Sequence, residues 1–175
     1  YIDNFSEYNN GINLFKNEQY NCLDFKVTLI GEYDSNFVQE KILTTINKFG
    51  LNNYINIKGV LIGDNKWKEY YTADIFCFPT YFESESFGNV LIEAMQYSLP
   101  IVATKWRGVQ SLVINNYNGI TYEHKDVSSL ALNLEKMIKN KNLRKLFGKN
   151  GRKKYEEEYT LTHFKKNMER AFELI

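Results

Sequence analysis

The chain has 175 residues, with 22 Lys and Arg against 21 Asp and Glu, and its net charge at pH 7 is +1. Apolar residues make up 43% and charged residues 25%, which is a globular composition and excludes a chain that is disordered or collagen-like as a whole. A chain so close to neutral lacks the basic surface that nucleic acids require, so we expect no nucleic acid partner.

The first two thirds of the chain alternate between short apolar strands and helices, within a length that fits one domain. The predicted elements in chain order are a strand at 24–30, a helix at 35–48, a strand at 55–58, a helix at 65–73, a strand at 75–78, a helix at 89–98 and strands at 101–104 and 120–122. This alternation is typical of βαβ units. It predicts an α/β fold with a parallel sheet and helices on both faces.

The last third of the chain is predicted to be entirely helical. Apolar residues recur at helical spacing after Asp126, and Thr160 is a plausible N-cap for a separate helix at 160–175. This terminal helix carries a wide apolar stripe at Leu161, Phe164, Met168, Ala171, Phe172 and Ile175. A stripe of this width indicates that the helix contacts more than its own domain.

The two cysteines, Cys22 and Cys77, are far apart in sequence and are expected to be free thiols.

Ligands of parallel α/β sheets bind beyond the carboxyl ends of the strands, so four loops are candidates for the site: 31–35, 59–65, 79–89 and 104–109. The third loop carries Glu85, and Glu93 follows in the helix that this loop opens. Two carboxylates can then bracket a ligand whose negative part rests on the helix N-terminus. Gly88 lets the backbone approach that ligand closely.

The segment from Pro79 to Thr104 carries a family resemblance. It combines Pro79-Thr80 after a strand, the string Glu85-Ser86-Phe87-Gly88-Asn89-Val90, then Glu93-Ala94-Met95, and finally Leu99-Pro100-Ile101-Val102-Ala103-Thr104. The spacing from Glu85 to Glu93 resembles the E-x7-E motif of the retaining glycosyltransferases of family 4, which have the two-domain GT-B architecture. The resemblance extends from about Glu7 to the C-terminus and implies a Rossmann-like domain that is one half of a GT-B fold.

The resemblance also implies roles for individual residues. Glu85 would be the catalytic carboxylate that faces the donor sugar, and Glu93 would bind the ribose hydroxyls of the nucleotide. The donor sugar and diphosphate would lie along Glu85, Ser86, Phe87, Gly88, Asn89 and Val90. Turn residues at Gly31, Glu32, Gly59 and Val60 would flank the base.

The implied function is donor binding by a retaining glycosyltransferase that moves a hexose or N-acetylhexosamine from a nucleotide-sugar, expected to be UDP-linked. The acceptor would be a glycan or lipid-linked intermediate of surface polysaccharide, such as O-antigen or capsule. We expect no cofactor and no metal, because the chain has no Asp-x-Asp motif. A cytoplasmic location is expected, with peripheral association at the inner face of the membrane.

The sequence departs from the family pattern in two places. No Arg and Lys-Gly pair precedes Ser6, and Ser98 stands where the family usually has glycine. We therefore expect the acceptor-binding N-terminal domain to be absent, residues 160–175 to be a helix that crosses to that domain, and the isolated chain to be inactive. The alternatives are an enzyme like the nucleotide-sugar 2-epimerases and a non-catalytic nucleotide-binding module.

Several polar residues near the predicted site have a plainer interpretation. Glu83 is expected to be a charge at the rim, and His124 and His163 to be structural or surface residues. The segment Lys105-Trp106-Arg107 fits a contact with a phosphate or acceptor and a simple surface loop equally well.

Overall fold

A computed structural model describes residues 25–173 and contains the expected alternation of strands and helices. Within these residues the strands are β1 (Val27–Ile30), β2 (Ile55–Gly59), β3 (Phe76–Phe78), β4 (Ile101–Thr104) and β5 (Gly119–Tyr122). The helices are α1 (Asn36–Lys48), α2 (Gly63–Thr72), α3 (Asn89–Gln96), α4 (Val109–Leu112), α5 (Val127–Lys139), α6 (Lys141–Glu158) and α7 (Leu161–Glu173). The predicted elements are confirmed with small shifts of their ends, and the short helix α4 is an addition.

Among residues 25–173 the parallel strands pair as two groups, whereas the alternation predicted one sheet. β1 pairs with β2, while β4 lies between β3 and β5. In the larger sheet Ile101 stands opposite both Phe76 and Gly119, so the three strands are in register at their starts. Within residues 25–173, β1 and β3 each have one hydrogen-bonded neighbour, so the two sheets are not joined by strand pairing.

Strand β4 is the centre of the larger sheet, and all four of its residues are buried. Successive side chains of a strand point to opposite faces. Ile101 and Ala103 accordingly pack with residues of α3 and α4, whereas Val102 packs with Leu130, Met137 and other residues on the opposite face. The prediction of helices on both faces is therefore confirmed for this sheet.

The smaller sheet has its own apolar cluster against α1. Val38, Ile42 and Ile46 of α1 are buried, and the partly buried side chains packed with them include Leu29 and Ile57 of the two strands. The helix begins after Ser35, whose hydroxyl accepts a hydrogen bond of 3.3 Å from the Val38 amide, as an N-cap does. Val27 and Ile30 of β1 are 37% and 44% exposed, so this sheet is covered less completely than β4.

Helix α6 packs closely on the turn that follows α3, and glycine makes this approach feasible. A Cβ added to Gly148 would lie 2.1 Å from the carbonyl oxygen of Ser98. Ser98 itself has a φ of 57°, in the left-handed region that glycine occupies most easily. Ser98 thus forms a left-handed turn at the position where the resemblance implies a glycine.

The terminal helix α7 begins where the sequence predicted, because the Thr160 hydroxyl accepts a hydrogen bond from the His163 amide. No residue of α7 is buried. Leu161, Phe164 and Phe172 are each 60% or more exposed, while Ile175 lies outside the described residues. Among the described helices, none is both long enough and apolar enough to cross a membrane.

Cys77 is a free thiol on β3, whereas Cys22 lies outside the described residues.

The close approach at Gly148 predicts the effect of a single added methyl group. In an unconstrained helix Gly→Ala stabilises, but Gly148→Ala should lower the free energy of unfolding by about 1–3 kcal/mol because a backbone carbonyl must move. Urea unfolding followed by circular dichroism measures the change. Lys149→Ala, at the exposed neighbouring position, is the control and should leave stability nearly unchanged. Stabilisation by Gly148→Ala would contradict the tight contact.

Candidate active site

The loop between β3 and α3 contains the predicted segment from Glu85 to Asn89 and leads directly into the N-terminus of α3. Gly88 precedes α3 with a φ of 82°, and a Cβ there would lie 3.0 Å from Leu91 Cδ1. A residue with a side chain would be strained at this φ, so glycine is required by the backbone itself. The amides that open an α-helix have no acceptor one turn earlier and point out of its N-terminus, where they favour an anion. In α3 the Leu91 amide donates to the Gly88 carbonyl at 2.8 Å, which leaves the amides of Asn89 and Val90 at the end of the helix.

This loop is fixed by the loop that follows β4. The Thr104 hydroxyl donates a hydrogen bond to the Thr80 carbonyl, and Trp106 Nε1 donates one of 2.8 Å to the Phe82 carbonyl. Gly108 lies directly against the first loop, because a Cβ there would be 2.2 Å from the carbonyl oxygen of Ser86. Two of the four predicted loops, 79–89 and 104–109, are thus packed side by side, and their contact lies next to Glu85.

The Glu85 side chain is half-buried in this loop. Its amide donates a hydrogen bond of 3.1 Å to the Phe82 carbonyl, which closes a tight turn. Among residues 25–173, no side chain forms a hydrogen bond or ion pair with its carboxylate. No described side chain therefore competes with a ligand for the hydrogen bonds that the Glu85 carboxylate can accept.

Glu93 is held in a different way, by two side chains of α2. Lys66 Nζ lies 2.6 Å from Glu93 Oε1, and the Tyr70 hydroxyl donates a hydrogen bond of 2.8 Å to Glu93 Oε2. The Glu93 side chain is 23% exposed, so it remains reachable from solvent. Burial and the neighbouring Glu93 carboxylate both raise the pKa of Tyr70, which keeps the phenol protonated as a donor.

The Tyr70 ring belongs to an aromatic cluster that fixes its position. It stacks on Phe76 at 5.5 Å and on Tyr97 at 5.6 Å between ring centroids, and Trp67 lies 6.1 Å away. Lys66 Nζ lies 4.9 Å from the centroid of the Trp67 ring. Both donors to Glu93 are therefore anchored by rings.

The residues predicted to flank the base lie together at the ends of β1 and β2. The Gly31 amide donates a hydrogen bond of 2.9 Å to the Gly59 carbonyl, and both glycines have positive φ. Glu32 and Val60 are exposed beside them. Helix α2 follows this turn after a few residues, so the same helix that begins there also reaches Glu93.

Sequence reasoning did not identify Lys66 and Tyr70. The two residues are four apart on a predicted helix and so share a face, which was the available signal.

For the segment Lys105-Trp106-Arg107 after β4, the sequence fits a ligand contact and a simple surface loop equally well. In the structure Trp106 fixes the loop, Lys105 pairs with Glu123 at 2.8 Å, and the His124 ring lies 5.0 Å from that of Trp106.

The described residues also bear on metal binding. Within 25–173, no group of three or more His, Cys, Asp and Glu side chains is placed to hold a metal ion. That the reaction needs neither metal nor cofactor stays a prediction from the sequence.

A family model described as glycosyl transferases group 1 matches residues 7–154, which is most of the chain. The chain belongs to this family. Among curated proteins it is 36% identical over 91 residues to the capsular polysaccharide biosynthesis glycosyltransferase CapM of Staphylococcus aureus. That match covers 52% of this chain and 23% of CapM, so the chain corresponds to only part of such a protein.

Solved structures show the same fold. Anabaena Alr3699/HepE in complex with UDP-glucose superposes with a TM-score of 0.77 at 18% identity, over 86% of this chain and 41% of that one. The C-terminal domain of the group 1 glycosyltransferase LpcC from Francisella tularensis gives a TM-score of 0.73 at 24% identity, over 90% of this chain and 80% of that one. The predicted fold of a GT-B glycosyltransferase domain is confirmed by these similarities.

The contact at Gly108 predicts how the Glu85 loop responds to a mutation outside it. Gly108→Ala should displace the Ser86 carbonyl and raise amide hydrogen exchange across residues 82–88, because the added methyl group cannot fit at 2.2 Å. Exchange in α6 should stay unchanged. Gln110→Ala, at an exposed position of α4, is the control. Unchanged exchange at 82–88 in Gly108→Ala would show that the two loops are not mechanically linked.

Proposed function

We propose that this chain is the donor-binding domain of a retaining glycosyltransferase of family 4 that uses a nucleotide-sugar. The observation that carries the proposal is the contrast between two carboxylates around the N-terminus of α3. Glu93 is held by Lys66 and Tyr70, whereas Glu85 has no such partner among residues 25–173. One carboxylate is prepared for binding, and the other can respond to charge that develops during the reaction.

In this proposal Glu93 binds the ribose. A carboxylate accepts hydrogen bonds and can receive two vicinal hydroxyl groups at once. The turns at Gly31-Glu32 and Gly59-Val60 flank the base, because α2 connects that edge of the smaller sheet to Glu93.

The diphosphate lies against the N-terminus of α3. Backbone amides around Phe87, Gly88, Asn89 and Val90 donate to its oxygens, and the helix dipole favours the negative charge. Close approach is feasible because Gly88 has no side chain. The donor sugar then lies beside Ser86 and Glu85.

The reaction breaks the bond between the anomeric carbon and the diphosphate oxygen and forms a bond to an acceptor oxygen on the same face of the sugar. The electron pair of the broken bond leaves with the diphosphate, and the acceptor hydroxyl passes its proton to an oxygen of that departing diphosphate. The anomeric carbon becomes positively charged in the transition state, where the Glu85 carboxylate stabilises it. The amides at the α3 N-terminus stabilise the leaving diphosphate.

The acceptor is proposed to bind mainly to a second, N-terminal domain, to which residues 160–175 cross. The exposed apolar stripe on α7 supports this, because it is available to another surface. The isolated chain should then bind donor without transferring sugar. The name of CapM supports a surface polysaccharide as product, and the UDP-glucose bound by Alr3699/HepE supports a UDP-linked hexose or N-acetylhexosamine as donor.

The two glutamates are expected to respond differently to substitution. Glu93→Ala should weaken binding of UDP by about 1.5–3 kcal/mol, because it removes hydrogen bonds to a charged acceptor. Glu85→Ala should change UDP affinity little, since UDP lacks the sugar that Glu85 faces. Isothermal titration calorimetry on the 175-residue chain, with UDP, GDP and ADP as ligands, measures both effects.

Glu83→Ala is the matched control, because Glu83 is an exposed carboxylate in the same loop. Glu93→Gln keeps the side-chain shape and guards against misfolding of the alanine variant. If wild-type chain and both Glu93 variants bind UDP equally well, the ribose assignment is wrong. If no nucleoside diphosphate binds the wild-type chain, the donor-domain proposal itself is wrong.

A further inference from the structure

The two residues of α2 that contact Glu93 differ in how deeply they are buried. Tyr70 is 7% exposed, and its ring is stacked between Phe76 and Tyr97. Lys66 lies one helical turn earlier, with about a quarter of its side chain exposed. The hydroxyl of Tyr70 is therefore a donor on a buried ring, while Lys66 is a more exposed donor whose Nζ lies 4.9 Å from the centroid of the Trp67 ring.

The two donors use only part of the hydrogen-bonding capacity of Glu93. A carboxylate offers about four lone-pair positions on its two oxygens. Lys66 occupies one on Oε1, and Tyr70 occupies one on Oε2. No other side chain among residues 25–173 occupies the remaining position on either oxygen. Two adjacent hydroxyl groups of a ligand can fill these positions together, provided that the carboxylate does not rotate.

Rotation is what the two donors prevent. If the carboxylate turned about its last side-chain bond, it would lose the hydrogen bond to Tyr70, whose ring cannot follow because it is stacked. A glutamate on the surface has no such restraint and loses conformational entropy when it binds a ligand. The orientation of Glu93 is thus set before any ligand arrives.

We propose that Tyr70 and Lys66 are positioning residues that orient Glu93 so that it distinguishes a ribose diol from a 2′-deoxyribose. The inference rests on the proposed function, since it takes the diol from a nucleotide-sugar. It adds two residues of α2 to the donor site and assigns them an effect on specificity. Neither residue needs to touch the nucleotide for this effect.

The effect of orienting Glu93 on ligand binding can be separated from the effect of the Lys66 charge. Loss of the Lys66 cation would weaken binding of every anionic nucleotide, ribose and deoxyribose alike. Loss of orientation affects the diol more than the single hydroxyl of a deoxyribose. The ratio of the two dissociation constants therefore reports positioning, and the charge effect largely cancels from it.

The experiment measures dissociation constants of the 175-residue chain for UDP and 2′-deoxy-UDP by calorimetry, with GDP and 2′-deoxy-GDP as a second pair. The wild-type chain should bind the ribose form about tenfold or more tightly. Tyr70→Phe keeps the stacked ring and removes only the hydroxyl, so the ratio should fall by about threefold or more. Lys66→Met keeps an unbranched side chain without the ammonium group and should lower the ratio in the same direction.

Tyr71→Phe is the matched control, because the neighbouring Tyr71 is 80% exposed. Its ratio should equal that of the wild-type chain. The melting temperature of each variant is recorded as well, since a purely structural Tyr70 would change stability and leave the ratio intact. In the Glu93→Gln background Tyr70→Phe should have little further effect on the ratio, because it acts through the carboxylate.

The outcomes separate this inference from the proposed function. A lowered ratio in Tyr70→Phe and Lys66→Met, but not in Tyr71→Phe, supports positioning. An unchanged ratio in Tyr70→Phe, with the wild-type chain still discriminating, overturns positioning and leaves the donor site standing. Wild-type binding without discrimination overturns the ribose role of Glu93. Absence of nucleotide binding overturns the proposed function and this inference with it.

Discussion

The complete burial of β4 is the constraint on which the larger sheet and the site depend. Because both faces and both edges of β4 are covered, neighbouring backbone must come unusually close to it. Gly119 meets this requirement at the first residue of β5, where a Cβ would lie 2.4 Å from the Ile101 carbonyl oxygen. With β3 and β5 fixed on either side, the loops after β3 and β4 leave the sheet side by side. The hydrogen bond from Thr104 to Thr80 joins them at their origin.

The two glutamates differ in how firmly the surrounding structure holds the backbone that carries them. Glu93 lies on α3, between Leu91 and Met95, which are fully buried and fix the helix against the sheet. Glu85 lies in a loop whose position depends on a few contacts, among them the hydrogen bond from Trp106 and the approach of Gly108. Binding interactions gain affinity from groups that are already oriented, whereas a group that responds to transition-state charge needs access to the reacting carbon. The division of roles that we propose follows this difference in support.

Sequence patterns predicted most elements, because these depend on local spacing, and they singled out Glu85 and Glu93, which the structure places before and within α3. Strand β4, for example, is an apolar run between Pro100 and a polar segment. The division into two sheets was not predicted, because strand order depends on pairing between distant segments. The contacts of Lys66 and Tyr70 with Glu93 were missed for the same reason, since they join residues 27 and 23 positions apart. The contact of Gly108 with the Ser86 carbonyl was not predicted either. Its role depends on a backbone from another loop.

Helix α2 joins the two sheets by side chains, since strand pairing does not join them within the described residues. Its Glu69 pairs with Lys58 of β2 at 2.5 Å, and its Lys66 and Tyr70 bind Glu93 on α3. An ion pair that is partly open to solvent contributes little to stability, so Lys58 and Glu69 form the weaker link. The Tyr70 contact is stronger, because its ring is part of the core around β4. In the proposed binding mode, with the ribose on Glu93 and the base at Gly31 and Gly59, a nucleotide would therefore contact both the smaller sheet and α3 of the larger sheet.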